Sequence, residues 1–154
     1  MLEYMIMPFY RYADFSGRAR RMEFWSFAFL NFIVTSILVT LAFSTGFSHR
    51  ALIRKAEFGG SLGIAAIAFF AILAMYSLAV LIPLIATNVR RLHDRNMSGW
   101  WCLAFVVLGV IPVFGWIGSI AYLVIMFLPG TAGPNRYGED PKAPDGSEVP
   151  ISGA

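Results

Sequence analysis

The densest run of chemically capable side chains is Asn88-Val89-Arg90-Arg91-Leu92-His93-Asp94-Arg95-Asn96-Met97-Ser98-Gly99-Trp100-Trp101. A histidine beside an aspartate is a pairing used for general-base work or for holding a metal. Arginines around it could clamp a phosphate through paired N–H donors. The rest of the sequence argues against both chemistries. The only other histidine is His49, separated from His93 by a long apolar stretch. One His and one Asp fall short of a usual zinc ligand set. No serine or cysteine stands at a spacing that pairs a nucleophile with its base. The single cysteine, Cys102, lies inside an apolar run and has no partner for an intramolecular disulfide. No catalytic residue, metal ligand or cofactor is therefore assigned. If the segment is helical, Arg90 and Asp94 stand four apart and are expected to pair, with Arg91 and Arg95 forming a second ridge beside them. Ser98-Gly99 is expected to break the helix, and Trp100-Trp101 to anchor the next segment at a membrane interface.

Two further polar motifs flank this one in sequence. In Phe15-Ser16-Gly17-Arg18-Ala19-Arg20-Arg21-Met22-Glu23-Phe24-Trp25, Ser16 is a candidate helix cap. Phe15, Ala19 and Met22 make a short apolar face. Arg18, Arg20 and Arg21 would sit at lipid headgroup level beside Trp25. The third motif, Gly133-Pro134-Asn135-Arg136-Tyr137-Gly138-Glu139-Asp140-Pro141, reads as a turn-rich segment.

The segments that must position these motifs follow from composition. The chain has 154 residues, 58% hydrophobic and 14% charged, where an ordinary soluble domain carries about 25% charged residues. Too little polar material is present to cover a soluble globule, which excludes that class along with disordered chains and disulfide scaffolds. An integral membrane protein remains. The basic pI near 9.3 reflects short clusters between apolar stretches, which is the pattern of topology signals and not of a nucleic-acid surface.

Phe24 to Thr45 is a run of 22 uncharged residues, about 33 Å as a helix and enough for a hydrocarbon core of about 30 Å. Gly59 to Val89 and Trp100 to Gly130 give 31 uncharged residues each. Two full crossings would need about 40 residues, so the third stretch cannot hold two. Pro112 and Gly115 near its middle break or kink it. It is expected to be a broken helical hairpin that returns to its own side, a single kinked span being the alternative. The returning arrangement places nine basic residues inside and three outside, against seven and five for the kinked span, and so satisfies the positive-inside rule better. The fold class is thus all-α, a polytopic transmembrane helical bundle of two full spans plus the hairpin. Residues 1–23 form an amphipathic lead-in, 24–130 the transmembrane helical domain, and 131–154 a polar, turn-rich tail, partly disordered.

The ordered set Gly17-Arg18-Ala19-Arg20-Arg21-Met22-Glu23-Phe24-Trp25, Val89 to Trp101 and Gly133-Pro134-Asn135-Arg136-Tyr137-Gly138 resembles the bacterial inner-membrane family grouped as domain of unknown function 805. The resemblance covers about residues 11–141. It implies a small multi-pass protein of the bacterial cytoplasmic membrane, and it brings no activity and no catalytic residues with it. Thr45 to Phe58 departs from the compact pattern as a polar, basic connection, read as a short external helix.

The functional expectation is a non-enzymatic membrane protein with its amino terminus in the cytoplasm. Its Arg-rich cytoplasmic face would hold anionic lipid headgroups or a protein partner, a second copy of the chain included. The residues assigned to that face are Arg18, Arg20, Arg21, Arg90, Arg91, His93, Asp94, Arg95, Asn135 and Arg136. A small oligomeric channel or transporter is one alternative, suggested by the broken third stretch and opposed by the lack of charge in the spans. An enzyme acting on a phosphorylated lipid through His93 and Asp94 is the other.

Overall fold

The computed structural model describes residues 2–46 and 61–142. Five helices lie among them: α1 (Leu2–Tyr10), α2 (Arg21–Gly46), α3 (Ser61–Asp94), α4 (Trp100–Val110) and α5 (Pro112–Phe127). A single antiparallel bridge joins Asn135 to Gly138. The expected Thr45–Phe58 external helix and the disordered end of the tail lie largely outside the described residues, as does His49.

The antiparallel pair α2 and α3 forms the frame. Each contains a segment long and apolar enough to cross a membrane, Arg21–Ser44 and Ala66–Asp94. Their surfaces are apolar on the outside: Phe29, Phe32 and Ile37 on α2, and Ile67, Met75 and Leu78 on α3, are all exposed. An exposed apolar belt of this extent is the surface of a protein solvated by lipid. Polar pins join helices within it. The Tyr76 hydroxyl donates to Asn31 Oδ1 at 2.7 Å, while Asn31 Nδ2 donates to Phe27 O at 2.8 Å. Tyr122 on α5 donates to Asn88 Oδ1 on α3.

The third apolar stretch is the broken hairpin. Ile111 leaves the helical region at φ −86°, ψ 117°, and Pro112 opens α5, where its missing N–H removes nothing a first-turn residue would use. With 11 and 16 residues, α4 and α5 extend about 16 and 24 Å, each short of a hydrocarbon core of about 30 Å. The two arms pack closely because of glycine: a Cβ on Gly115 would stand 2.9 Å from Gly109 O, and one on Gly118 3.2 Å from Leu108 Cβ.

The short helix α1 was legible only as part of the lead-in. It packs on α2 through Phe9 and Phe27, whose ring centroids lie 5.4 Å apart edge to face. Beyond it, the Tyr12 hydroxyl reaches Ala79 O on α3 at 2.7 Å.

Three local expectations are corrected. Ser16 does not cap α2, which begins at Arg21; both its backbone N–H and its hydroxyl donate to Asp14 Oδ1, and Gly17 turns the chain at φ +76°. The helix α3 ends at Asp94, before Ser98-Gly99, because Asn96 adopts the left-handed conformation at φ 58° that terminates helices. Arg90 does not pair with Asp94. Glu23 of α2 engages Arg90 at 3.0 Å, and Asp94 pairs with Arg91 and with Arg18 from the lead-in.

Candidate functional site

The last turn of a helix exposes carbonyls that have no partner in the helix itself. At the end of α3 the turn at residues 95–97 answers Leu92 O and His93 O, and more distant segments reach carbonyls there as well. Ala19 N donates to Arg90 O at 3.1 Å, and Thr131 N to Asp94 O at 2.8 Å. Asn135 Nδ2 donates to His93 O at 3.0 Å. The lead-in, the end of α3 and the tail therefore meet at one end of the bundle.

A second set of orphan carbonyls belongs to the end of α5 and the extended segment after it, and arginines serve that set. Arg91 donates to Met126 O at 3.2 Å and also to Leu128 O. Arg21 reaches Phe127 O at 3.4 Å, and Arg95 donates to Pro129 O. Arg18 donates to Gly133 O at 2.6 Å and to Thr131 O. Cations gathered at the negative end of a helix dipole are favourable as well. Four guanidiniums thus hold the backbone from Met126 to Gly133, an arrangement we call the clasp.

Asp94 is the centre of the clasp. Its Oδ1 accepts from Arg18 Nε at 3.0 Å and its Oδ2 accepts from Arg91 Nη1. The Asp94 side chain is 3% exposed, and those of Arg18 and Arg91 are 1% and 0% exposed. Gly130 passes so close that a Cβ there would lie 2.1 Å from Asp94 Oδ2. Asp140 stands 4.0 Å from Arg18 on the outer side. Backbone N–H groups of Lys142 and Gly133, with Arg18 beyond them, hold its carboxyl below the usual range. Four guanidiniums, those of Arg18, Arg21, Arg91 and Arg95, gather with two carboxylates, those of Asp94 and Asp140. The cluster carries an excess of two positive charges.

His93 and Asp94 do not form a dyad. Successive helical residues point about 100° apart, and both Asp94 oxygens are taken by arginines. The His93 Nδ1 lies 3.2 Å from Gly17 O. Because a carbonyl only accepts, Nδ1 carries the proton. The ring stacks on Tyr137 at 3.8 Å with an interplanar angle of 5°, and the Arg136 guanidinium lies over the other ring system at 4.7 Å. Among the described residues no three His, Cys, Asp or Glu side chains gather as a metal set.

Of the residues singled out in the sequence, the structure buries Arg18, Arg90, Arg91 and Asp94, half-buries Arg20, His93, Arg95 and Asn135, and exposes Arg21 and Arg136. Eight of the ten take part in the clasp or its rim; Arg90 instead faces Glu23, with Thr87 Oγ1 accepting from it at 3.4 Å, and Arg20 lies toward Glu23 as well. Residues the sequence did not single out include Glu23, Gly130 and Thr131. Glu23 carried a signal, as the one carboxylate beside Arg18, Arg20 and Arg21 at the start of the first apolar span.

The fold and site define an integral membrane helical bundle closed at one end by a buried arginine–aspartate clasp. The family described as "Protein of unknown function (DUF805)" matches residues 12–139, and the chain belongs to that family. It is similar to the inner membrane protein YhaI of Escherichia coli K12, at 37% identity over 131 residues, covering 85% of this chain and 88% of that protein. It is similar also to the inner membrane protein YhaH of the same strain, at 35% identity over 133 residues, covering 85% and 89%. The uncharacterized protein YiiR of that strain is 28% identical over 145 residues, covering 82% and 85%. No solved structure matches the chain. Like the two named inner membrane proteins, the chain is a bacterial inner-membrane protein.

Proposed function

We propose that this protein is a non-enzymatic, multi-pass membrane protein with its amino terminus in the cytoplasm, whose clasp end holds acidic lipid headgroups of the inner leaflet. The observation that carries this reading is the excess of two positive charges where Arg18, Arg21, Arg91 and Arg95 meet Asp94 and Asp140. The buried arginines build the surface, and the exposed Arg21 and Arg136, with the half-buried Arg20 and Arg95, present charge to the membrane. Each basic side chain near an acidic membrane surface contributes about 1 kcal/mol. A catalytic reading has less support, since Asp94 is saturated by arginines and His93 is packed between Gly17 O and Tyr137.

The test is thermal unfolding of the full chain in micelles carrying phosphatidylglycerol or phosphatidylcholine. A ligand that binds only the folded state raises its stability by mass action. The midpoint should rise more with phosphatidylglycerol, and the difference should shrink with added salt. Equal midpoints at low salt would remove the reading.

A further inference from the structure

The outer face of α5 carries an apolar groove of about 350 Å³ lined by Ile120, Leu123, Val124, Phe127, Leu128 and Pro129. Its upper rim is made of the same backbone that the clasp holds: Arg21 donates to Phe127 O and Arg95 to Pro129 O. The wall is stiffened by Trp25, stacked on Phe127 with ring centroids 4.2 Å apart. From Ile120 to Phe127 the groove runs about 10 Å along the helix. A greasy channel therefore descends from a pair of guanidiniums that belong to a cluster with surplus positive charge.

We propose that this groove is a specific site for one acidic phospholipid, its phosphate on Arg21 and Arg95 and the upper part of an acyl chain along Ile120, Val124 and Phe127. This rests on the lipid reading above and goes beyond it, replacing a diffuse basic face by one located site. The charge and the apolar track are both required. A neutral lipid leaves the surplus charge unanswered, and a soluble phosphate leaves the groove unfilled. Basic pockets between helices at the inner leaflet are the setting in which acidic headgroups are bound, and Arg suits phosphate through its paired donors.

The full chain is reconstituted in phosphatidylcholine vesicles, and spin-labelled phosphatidylglycerol and phosphatidylcholine are added in turn. The fraction of label immobilised by the protein gives the relative association constant. Wild type should prefer phosphatidylglycerol. Arg21→Gln and Arg95→Gln should each lower that preference about fivefold, the worth of one basic side chain near an acidic surface. Val124→Trp, which fills the groove from an exposed position, should lower it similarly. Lys142→Gln, an exposed cation away from the groove, should leave it unchanged. Because Arg21 and Val124 are exposed, near-ultraviolet circular dichroism should show both variants folded. A preference untouched by Val124→Trp overturns the groove, as does a loss with Lys142→Gln equal to that with Arg21→Gln; either result leaves the general lipid reading standing. No preference in wild type overturns both.

Discussion

The phenol of Tyr12 donates to the backbone carbonyl of Ala79 at 2.7 Å, and Ala79 stands four residues before Pro83 in α3. In an α-helix the carbonyl of residue i accepts from the N–H of residue i+4, and proline has no N–H. The residue that breaks the ladder and the residue that repairs it thus lie 71 positions apart in sequence. In lipid, where water does not reach, an unmatched carbonyl is costly. The tyrosine both satisfies α3 and fastens the lead-in to it.

Tyr12→Phe should therefore destabilise the bundle by about 1 kcal/mol, the scale of one interhelical hydrogen bond in a membrane. Pro83→Ala restores an N–H to the ladder, so in that background the same Tyr12→Phe change should cost close to nothing. The double-mutant cycle, measured by unfolding in mixed micelles of sodium dodecyl sulfate, checks this. Equal costs in both backgrounds would show that Tyr12 acts through packing alone.

Gly130 is glycine because of what it faces. A Cβ there would lie 2.1 Å from Asp94 Oδ2, far inside contact distance, and Asp94 cannot retreat because both its oxygens are held by arginines. Gly130→Ala should cost about 1–3 kcal/mol, the range for forced overpacking. Gly133→Ala has open space around it and carries only the strain of φ +72°, about 1–2 kcal/mol for a non-glycine residue. Mixed-micelle unfolding should rank Gly130→Ala as the more damaging, and the reverse order would contradict the close approach.

Asp94 pairs with two buried guanidiniums at once. Asp94→Ala leaves Arg18 and Arg91 with uncompensated buried charge, and removal of one partner from a buried pair costs about 3–5 kcal/mol. Asp94→Asn keeps one acceptor oxygen and the shape, and should cost less. The same unfolding measurement separates them. If the alanine variant were as stable as wild type, the clasp would not be held by its carboxylate.

The sequence carried the large features because they depend on composition and length. Phe24 to Thr45 and Gly59 to Val89 are runs too long and too uncharged for anything but long membrane helices, and Pro112 marked the break that became the turn between α4 and α5. The partners of individual charges were hidden, because helical spacing reports only neighbours on the same helix. Arg90 and Asp94 satisfy the i,i+4 rule, yet Glu23 of α2 and Arg18 of the lead-in, 67 and 76 positions away, outcompete that local pair. The same holds for Tyr12 and Ala79, and for the carbonyls between Met126 and Gly133 that accept from Arg91, Arg95 and Arg18. Backbone acceptors leave no trace in residue type. Gly130 did leave a mark in residue type, as one glycine among several, but through its close approach to Asp94 and not as an acceptor.

Two carboxylates outside the spans, Asp14 and Asp140, are held below their ordinary range. Asp14 is held at about 2 against an ordinary 3.8, first by the Ser16 hydroxyl and then by Arg11, which approaches to 2.6 Å. Asp140 is lowered in the same direction by the N–H groups of Lys142 and Gly133. A carboxylate with a depressed folded value contributes stability that is complete above its unfolded value and disappears as pH falls through the folded one. The turn at residues 11–16 should therefore loosen between pH 4 and pH 2, read by hydrogen exchange of the Ser16 amide. Asp14→Asn should exchange faster at neutral pH and show no such acid step. A step of the same size in Asp14→Asn would assign the loosening to another group.

On the reading proposed above, charge sets the side of the membrane on which the clasp lies, and that side would decide which leaflet supplies the lipid. The lead-in, the end of α3 and the tail are hydrogen-bonded together, through Ala19 to Arg90 and Thr131 to Asp94, so they share one compartment. That compartment then holds nine of the twelve basic residues of the chain, and short basic segments are retained in the cytoplasm. In a background lacking Cys102, a membrane-impermeant maleimide applied to intact spheroplasts should label Ser48→Cys and leave Lys142→Cys untouched until the membrane is opened. Labelling of position 142 from outside would invert the bundle, placing the arginines at the outer leaflet of the inner membrane and removing the argument for inner-leaflet acidic lipid.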